Sequence, residues 1–226
     1  MPEKHTEKSG APRYRTIYRG GQGEIVEKKS RFIAHVQPAS SEEEAIEFIG
    51  KIKKQYWDAR HNCHAYVIGP HREISRCSDD GEPSGTAGRP MLDVLLGNDL
   101  YDTVVVVTRY FGGTLLGTGG LVRAYSAAVR EGLNQAVVIE KREGAIYRMQ
   151  VDYPGLGKVQ YLAGEQGLSI LESDYGEMVK LDILLPGEEI ESFLQKVTEA
   201  TGGKAQIEKL RQTCFAMVDG NIELFE

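Results

Sequence analysis

The residues with the clearest potential for binding chemistry lie in a glycine-rich stretch over residues 108–120, which reads TRYFGGTLLGTGG. The stretch follows a β-branched run and precedes an apolar helical pattern, so it is expected to join a buried strand to a helix start. Glycines let a backbone approach a ligand closely, and the unpaired N–H groups of a helix start attract anions. Nearby arginines add charge suited to a phosphate or carboxylate. The residues predicted to bind an anion are Arg89, Arg109, Gly112, Gly113, Gly117, Thr118, Gly119, Gly120 and Arg123.

The glycine spacing excludes two common nucleotide-binding loops. No Gly-Lys-Ser/Thr follows the glycines, as a Walker loop requires, and no Gly-x-Gly-x-x-Gly pattern of a dinucleotide site is present. The alternative to an anion site is that the glycines only permit tight turns and close packing. Both interpretations remain open at this point.

A polar loop over residues 78–89, SDDGEPSGTAGR, is the second segment of interest. Its three carboxylates are a composition that hard cations accept, but the full calcium-loop spacing is missing, so a solvated turn is favoured. The loop also supplies two hydroxyls and an arginine, which are expected to form the opposite wall of the anion site. The accessory residues predicted in this loop and at the edge of the preceding strand are Arg60, His61, Asp79, Asp80, Glu82, Ser84 and Thr86.

Histidine and cysteine occur close together in His61, Cys63 and His64 and invite a zinc or Cys–His nucleophile hypothesis. Adjacent residues of a strand point to opposite faces, which disfavours a shared metal. A nucleophilic pair would also need a third orienting group, and none can be identified. We therefore expect no metal and no other cofactor, and we assign no catalytic residue.

Two aromatic residues, Tyr110 and Phe111, stand beside Arg109. Aromatic side chains stack on bases in single-stranded RNA recognition. More often such residues close a hydrophobic core, so this pair has two open interpretations.

The elements that position these residues follow from periodicity and turn signals. Residues 14–36 predict two strands separated by the glycine-rich turn 20–23, and Ser41 with Glu44 forms a capping box for a helix over 41–56. The further expected elements are strands 63–68 and 73–77, helix 91–96, a doubly buried strand 103–107, helix 121–133 and strand 136–139. Beyond a polar joint at 140–144 we expect strand 145–153, helix 155–166, strands 168–174 and 177–185, helix 188–200 and strand 206–217. That βαββαβ order is the ferredoxin-like arrangement.

Composition and charge set the domain plan. The chain has 226 residues, 41% of them hydrophobic and 27% charged, which is typical of a globular protein and excludes disordered, collagen and disulfide-scaffold classes. Residues 1–140 carry 18 Lys+Arg and 18 Asp+Glu, whereas residues 141–226 carry 9 and 15, so the acidity lies in the C-terminal third. We predict a flexible tail at 1–13, an N-terminal domain at 14–140 and a ferredoxin-like domain at 141–226.

Apolar runs and cysteine usage indicate the compartment. No apolar run approaches the roughly 20 residues that cross a bilayer, and the first residues lack the hydrophobic stretch of a secretory signal. Three widely spaced cysteines suit free thiols in a reducing compartment. The chain is expected to be cytoplasmic, without a membrane partner.

A family resemblance is carried by the central third of the chain. Its residues are Gly88, Met91-Leu92, Leu95, Leu100, Val106-Val107, Arg109-Tyr110-Phe111-Gly112-Gly113 and Leu116-Gly117, overlapping the hallmark SDDGEPSGTAGRPM. This pattern resembles the signature of the IMPACT family, which includes the bacterial YigZ-like proteins. The resemblance implies an α+β fold: an N-terminal domain with the left-handed βαβ topology of elongation factor G domain IV and the ribonuclease P protein, then a ferredoxin-like domain like elongation factor G domain V.

The same resemblance implies a link to translation. Eukaryotic members regulate initiation through an additional RWD domain; no such domain is expected in this chain, so that mechanism is not carried over. Our leading hypothesis is a non-enzymatic module that binds RNA or the ribosome through the glycine and arginine residues above. The alternative is an enzyme acting on a small phosphorylated or carboxylated anion, with Asp79, Asp80 or Glu82 as acid, base or metal-holding groups. A third hypothesis is an adaptor that captures a partner through the acidic C-terminal domain.

Overall fold

The computed structural model describes residues 13–69 and 71–225. The chain divides into two units, one formed by Tyr14–Glu140 and the other by Arg13 together with the residues from Lys141 onward. The flexible tail expected at 1–13 lies outside the described residues except for Arg13, which begins the first strand. Among the residues that the structure describes, no helix has the length and apolar character to cross a membrane.

The first unit contains a five-stranded antiparallel sheet with helices on both faces. Its elements are β1 (Arg13–Arg19), β2 (Gly21–Glu27), β3 (Ser30–Pro38), α1 (Glu42–Gln55), β4 (His61–Ile68), β5 (Ile74–Ser78), α2 (Gly88–Gly97), β6 (Leu100–Tyr101), β7 (Thr103–Tyr110) and α3 (Thr118–Asn134). The sheet order is β2-β3-β7-β4-β5, and β1 pairs with β6 in parallel. Strand β7 therefore lies at the centre of the sheet.

Burial of β7 on both faces explains its β-branched sequence. Val105 and Val107 pack into the cluster that contains α2 and α3, whereas Val104 and Val106 pack into the cluster beneath α1. All four side chains are fully buried. Each contributes on the order of 2 kcal/mol of transfer free energy. This core fixes the position at which β7 ends.

The glycine-rich turn predicted at 20–23 is wrong, because Gly21, Gln22 and Gly23 lie in strand β2. A Cβ on Gly21 would lie 2.5 Å from the Ala136 amide nitrogen, and a Cβ on Gly23 would lie 2.6 Å from that of Gly132. The glycines therefore let β2 approach the end of α3. The reversal occurs instead at the next two residues after β2, Lys28 and Lys29, which have φ values of 46° and 67°. A two-residue hairpin loop with both φ values positive is a type I′ turn.

Four other predictions of boundaries change. Helix α2 begins at Gly88 and helix α3 at Thr118, each three residues earlier than predicted. Strand β7 continues to Tyr110, which places Arg109 inside the sheet. The expected polar joint at 140–144 is part of one continuous strand, because its residues pair with a neighbouring strand of the second unit.

The second unit is ferredoxin-like. Its elements are β8 (Val137–Val151, whose first residues belong to the first unit), α4 (Tyr153–Glu165), β9 (Ser169–Tyr175), β10 (Val179–Pro186), α5 (Ile190–Thr201), β11 (Gln206–Val218) and β12 (Asn221–Phe225). The strands run β9-β10-β8-β11-β12 with antiparallel neighbours. Met149, Leu181 and Phe193 centre the core between this sheet and its helices. The α+β class is confirmed, and β12 is an additional strand beyond the predicted βαββαβ order.

Candidate functional site

The two segments singled out from the sequence meet at one end of the five-stranded sheet. In the sheet register, Arg109 lies opposite Phe32 of β3 and His61 of β4. Residues 79–87 follow β5 at this end, and residues 111–117 follow β7. We call this surface the sheet end, comprising residues 28–31, 57–61, 79–87 and 109–123.

A buried hydrogen-bond network forms the base of the sheet end. Arg109 Nη1 donates to Glu82 Oε1 at 2.6 Å, and Tyr125 Oη donates to the same oxygen at 2.8 Å. The Arg109 and Glu82 side chains are only 8% and 3% exposed. The structure therefore corrects the role predicted for Arg109, since its charge is neutralised internally by Glu82. Glu82 likewise has a structural partner and is not a free acid or base.

The thiol of Cys63 belongs to this network. Its Sγ donates to the Asp79 carbonyl at 3.0 Å and lies 3.3 Å from Tyr125 Oη. Burial raises the pKa of Cys63 to about 12, so the thiol stays protonated near neutral pH and is a poor nucleophile. Within residues 13–69 and 71–225, no group of three or more His, Cys, Asp and Glu residues is arranged to hold a metal ion.

The carboxylate of Asp79 caps helix α2. It accepts hydrogen bonds from the backbone N–H groups of Gly85, Ala87 and Gly88 at 2.8, 2.9 and 2.8 Å. Burial alone would raise the pKa of Asp79, but these three bonds outweigh it and lower the pKa. Asp79 therefore stabilises the loop as an ionised cap, and the N-terminus of α2 already has its anion.

The remaining accessory residues, in the loop and at the start of β4, are either hydrogen-bonded within the protein or exposed. The Asp80 carboxylate accepts hydrogen bonds from Lys53 Nζ at 2.6 Å and from the backbone N–H of Asn62 at 2.7 Å. His61 Nδ1 donates to the Asp80 carbonyl at 2.9 Å, and Thr86 Oγ1 donates to the Pro83 carbonyl at 2.6 Å. Ser84 and Arg60 are both exposed. The carboxylates of the polar loop are thus bonded to other parts of the first unit, although the loop itself is partly exposed.

The N-terminus of α3 contrasts with that of α2. Its N-cap is Gly117, no side chain of the described residues caps it, and its first turn contains no acidic residue. Thr118 and Gly119 are exposed. Arg123 Nη1 lies 3.6 Å from the point that a Cβ on Gly119 would occupy, so the guanidinium folds over this turn. The structure brings together the predicted residues from Gly117 to Arg123, with backbone donors and a cation on one surface.

The glycines before this turn have separate structural reasons. A Cβ on Gly112 would lie 2.0 Å from the carbonyl carbon of Lys29, and the Gly112 N–H donates to Ser30 Oγ at 3.1 Å. Gly113 and Gly117 have φ values of 85° and 73°, which glycine adopts without strain. Close packing therefore accounts for Gly112, and turn conformation accounts for the other two.

Arg89 lies in the first turn of α2 and forms an i,i+4 ion pair with Asp93 at 2.8 Å. Both side chains are more than half exposed, so the pair is worth less than about 1 kcal/mol. Arg89 remains accessible to solvent, but the first turn that holds it is already capped by Asp79.

Sequence reasoning missed the basic turn formed by Lys28 and Lys29. Both lysines are exposed and in a left-handed conformation, which costs roughly 1 kcal/mol for each. The turn packs on Gly112, at the start of the loop that leads into α3. The two-residue gap between alternating segments is the signal that could have located it, but lysines replace the Asn-Gly pair that usually marks a type I′ turn.

The two aromatic residues beside Arg109 differ in their surroundings. Tyr110 Oη donates to Asp58 Oδ1 at 2.7 Å, and the Arg31 guanidinium lies 5.8 Å from the ring centroid. The Phe111 side chain is 57% exposed. Tyr110 is therefore held by the protein, whereas Phe111 presents an aromatic ring to solvent.

Comparison with known proteins shows similarity over both units. The Impact N-terminal domain matches residues 28–133, and a domain of unknown function, DUF1949, matches residues 149–204. The IMPACT family member YvyE of Bacillus subtilis (strain 168) is 48% identical over 196 residues, which cover 87% of this chain and 90% of that protein. The IMPACT family member YigZ of Escherichia coli (strain K12) is 38% identical over 182 residues, covering 80% and 89%. The crystal structure of a hypothetical protein matches with a TM-score of 0.57 and 35% identity, covering 88% of this chain and 98% of that one. The resemblance carried by the sequence motifs is confirmed, and the chain belongs to the IMPACT family.

Proposed function

We propose that this chain is a translation-associated protein that binds RNA or the ribosome through phosphate contacts at the sheet end. The observation that carries the proposal is the exposed, uncapped N-terminus of α3 with Arg123 folded over it. The link to translation comes from membership of the IMPACT family and from the likeness to elongation factor G domains that the family implies. The ligand chemistry comes from the surface itself.

The first turn of α3 has the properties of an anion site. The first N–H groups of a helix have no intrahelical partner, and the helix dipole places partial positive charge there. A phosphate oxygen is a suitable acceptor for the N–H groups of Thr118, Gly119 and Gly120, and the guanidinium of Arg123 adds a charge-assisted bond. The absence of an acidic residue in the first turn leaves this potential uncompensated by the turn itself.

The basic turn at Lys28 and Lys29 extends the same surface. It packs against Gly112, one end of the loop whose other end starts α3. Two exposed lysines at the start of the loop that leads to α3 suit a polyanion, which offers several phosphates in succession, better than a single small anion. Release of counterions on neutralising each phosphate then gives salt-dependent affinity.

Geometry disfavours the alternative of an enzyme that acts on a small anion. That hypothesis needs Asp79, Asp80 or Glu82 as an acid, base or metal-holding group. The Asp79 carboxylate accepts three backbone N–H bonds, Asp80 pairs with Lys53, and Glu82 pairs with Arg109. All three carboxylates have internal partners, so binding is the function that the sheet end supports best.

The test measures binding of a labelled 20-nucleotide RNA by fluorescence anisotropy across a salt series, with co-sedimentation of purified ribosomes. Arg123→Gln removes the proposed phosphate contact, whereas Arg130→Gln removes an exposed charge two turns further along α3 and is the matched control. We expect Arg123→Gln to weaken binding and reduce the log–log salt slope by about 0.7, the value for one lost contact to a single strand. Equal effects of the two variants, or no binding at low salt, would overturn the proposal.

A further inference from the structure

Phe111 is an exposed aromatic ring at the point where β7 ends. Its side chain is 57% exposed, although it directly follows the buried strand. Leu115, in the same loop, is 82% exposed. A phenylalanine ring in water gains nothing for folding from its exposed face, so this face is open to a partner from outside the chain.

The ring is held in place from below by Arg109. The Arg109 guanidinium lies 5.6 Å from the Phe111 ring centroid and 5.4 Å from the centroid of Phe32, which is fully buried. Arg109 is itself fixed by its bond to Glu82 at 2.6 Å. A guanidinium near an aromatic face attracts it electrostatically. The series Phe32, Arg109 and Phe111 therefore connects the core to the exposed ring and limits its movement.

We infer that Phe111 is a stacking platform for an unpaired base, so that the RNA bound at the sheet end is single-stranded. This inference rests on the proposed function and names the class of RNA that it binds. The ring precedes the glycine loop that leads to the α3 N-terminus, so a strand whose phosphates contact Arg123 carries its bases past the same surface. Every base has a π face that stacks on an aromatic ring, whereas the bases of a duplex are already stacked inside it.

Arg109 has a positioning role under this inference. Its guanidinium is bonded to Glu82 and buried, so it contacts the platform rather than a phosphate. Loss of the guanidinium should therefore lower the affinity for a single strand without changing the salt slope. If Arg109 contacted a phosphate instead, its loss would lower both the affinity and the salt slope.

The experiment compares a 12-nucleotide single-stranded RNA with the same sequence in a 12-base-pair duplex, at one fixed salt concentration. Phe111→Ala should weaken binding of the single strand by about 5- to 150-fold, the effect of losing about 1 to 3 kcal/mol of stacking. Duplex affinity should change less than twofold, and Phe111→Trp should restore single-strand binding. Leu115→Ala is the matched control, since it removes a more exposed apolar side chain of the same loop, and it should leave both affinities unchanged.

The outcomes separate this inference from the proposed function. If the unmodified protein binds no RNA at low salt, the proposed function fails and the inference fails with it. If Arg123→Gln weakens binding but Phe111→Ala behaves like Leu115→Ala, phosphate binding stands and the stacking platform is overturned. Equal losses for single strand and duplex in Phe111→Ala would also overturn it. The double variant Arg109→Met with Glu82→Met, which removes the guanidinium without leaving a buried unpaired charge and is checked for folding by circular dichroism, should lower single-strand affinity with an unchanged salt slope, and a reduced slope would contradict the positioning role.

Discussion

Replacing Arg109 with methionine should destabilise the protein strongly, because it leaves the Glu82 carboxylate buried without its cation. The Glu82 side chain is 3% exposed and would retain one hydrogen bond, from Tyr125 Oη at 2.8 Å. Removing one partner of a buried ion pair costs about 3 to 5 kcal/mol. Glu82→Met should cost a similar amount, since it leaves the guanidinium buried and unpaired.

The double variant Arg109→Met with Glu82→Met should cost less than either single change. It removes both charges and replaces them with apolar side chains, which is often nearly neutral for a buried pair. The main remaining cost is the Tyr125 hydroxyl, which loses its acceptor, at about 1 to 3 kcal/mol. The double-mutant cycle should therefore give a coupling free energy of at least about 3 kcal/mol.

The assay is urea unfolding followed by far-UV circular dichroism, with hydrogen exchange of peptides from β4 and β7 to assign the change to the first unit. For a denaturant slope of about 2 kcal/mol/M, the single variants should lower the unfolding midpoint by about 1.5 to 2.5 M. If the two single costs simply add in the double variant, Glu82 and Arg109 are not coupled. Arg109 would then be available as a ligand for an external anion, and its assignment to the internal network would be refuted.

Two further predictions concern the basic turn and pH. Replacing Lys28 and Lys29 with Asn-Gly should maintain or raise the free energy of unfolding, since Asn-Gly favours the type I′ turn, while weakening RNA binding. The charge-matched control is the double variant Lys196→Gln with Lys204→Gln, which removes two exposed charges from the second unit. If the control lost as much RNA affinity as the Asn-Gly variant, a phosphate contact at the turn would be contradicted. Burial lowers the pKa of His35 in the folded protein. Below pH about 6.5 the unfolded state therefore binds more protons than the folded state, and the free energy of unfolding should fall as the pH decreases. This fall should level off below the folded-state pKa of His35. For this one group, the free energy of unfolding cannot change by more than about 1.4 kcal/mol per pH unit. Urea unfolding at pH 5.5, 6.5 and 7.5 should show a smaller dependence on pH for His35→Gln than for the unmodified protein. The same dependence in both would exclude His35 as its source.

Local patterns in the sequence determined much of the architecture. The β-branched run of β7 required burial on both faces, and Ser41 marked the start of α1, where its side chain accepts from the Glu44 amide. The order of elements from β8 to β11 followed from periodicity alone. These features depend on the side-chain period of 2 in strands and 3.6 in helices, which is visible within a short window of sequence. The glycine loop leading to a helix start was visible in the same way.

The tertiary structure alone decided which charges are free. Glu82 and Arg109 are 27 residues apart, and only the register of β4, β5 and β7 brings them together. The same pairing supplies Asp79 as the cap of α2, whereas α3 has no capping side chain among residues 13–69 and 71–225. A residue type states that a side chain can carry charge, but its partners come from contacts between distant strands, which no local periodicity contains. The sequence therefore predicted which segments form the sheet end, and the fold determined that Arg123 and the α3 N-terminus, rather than Arg109 or Glu82, are exposed there.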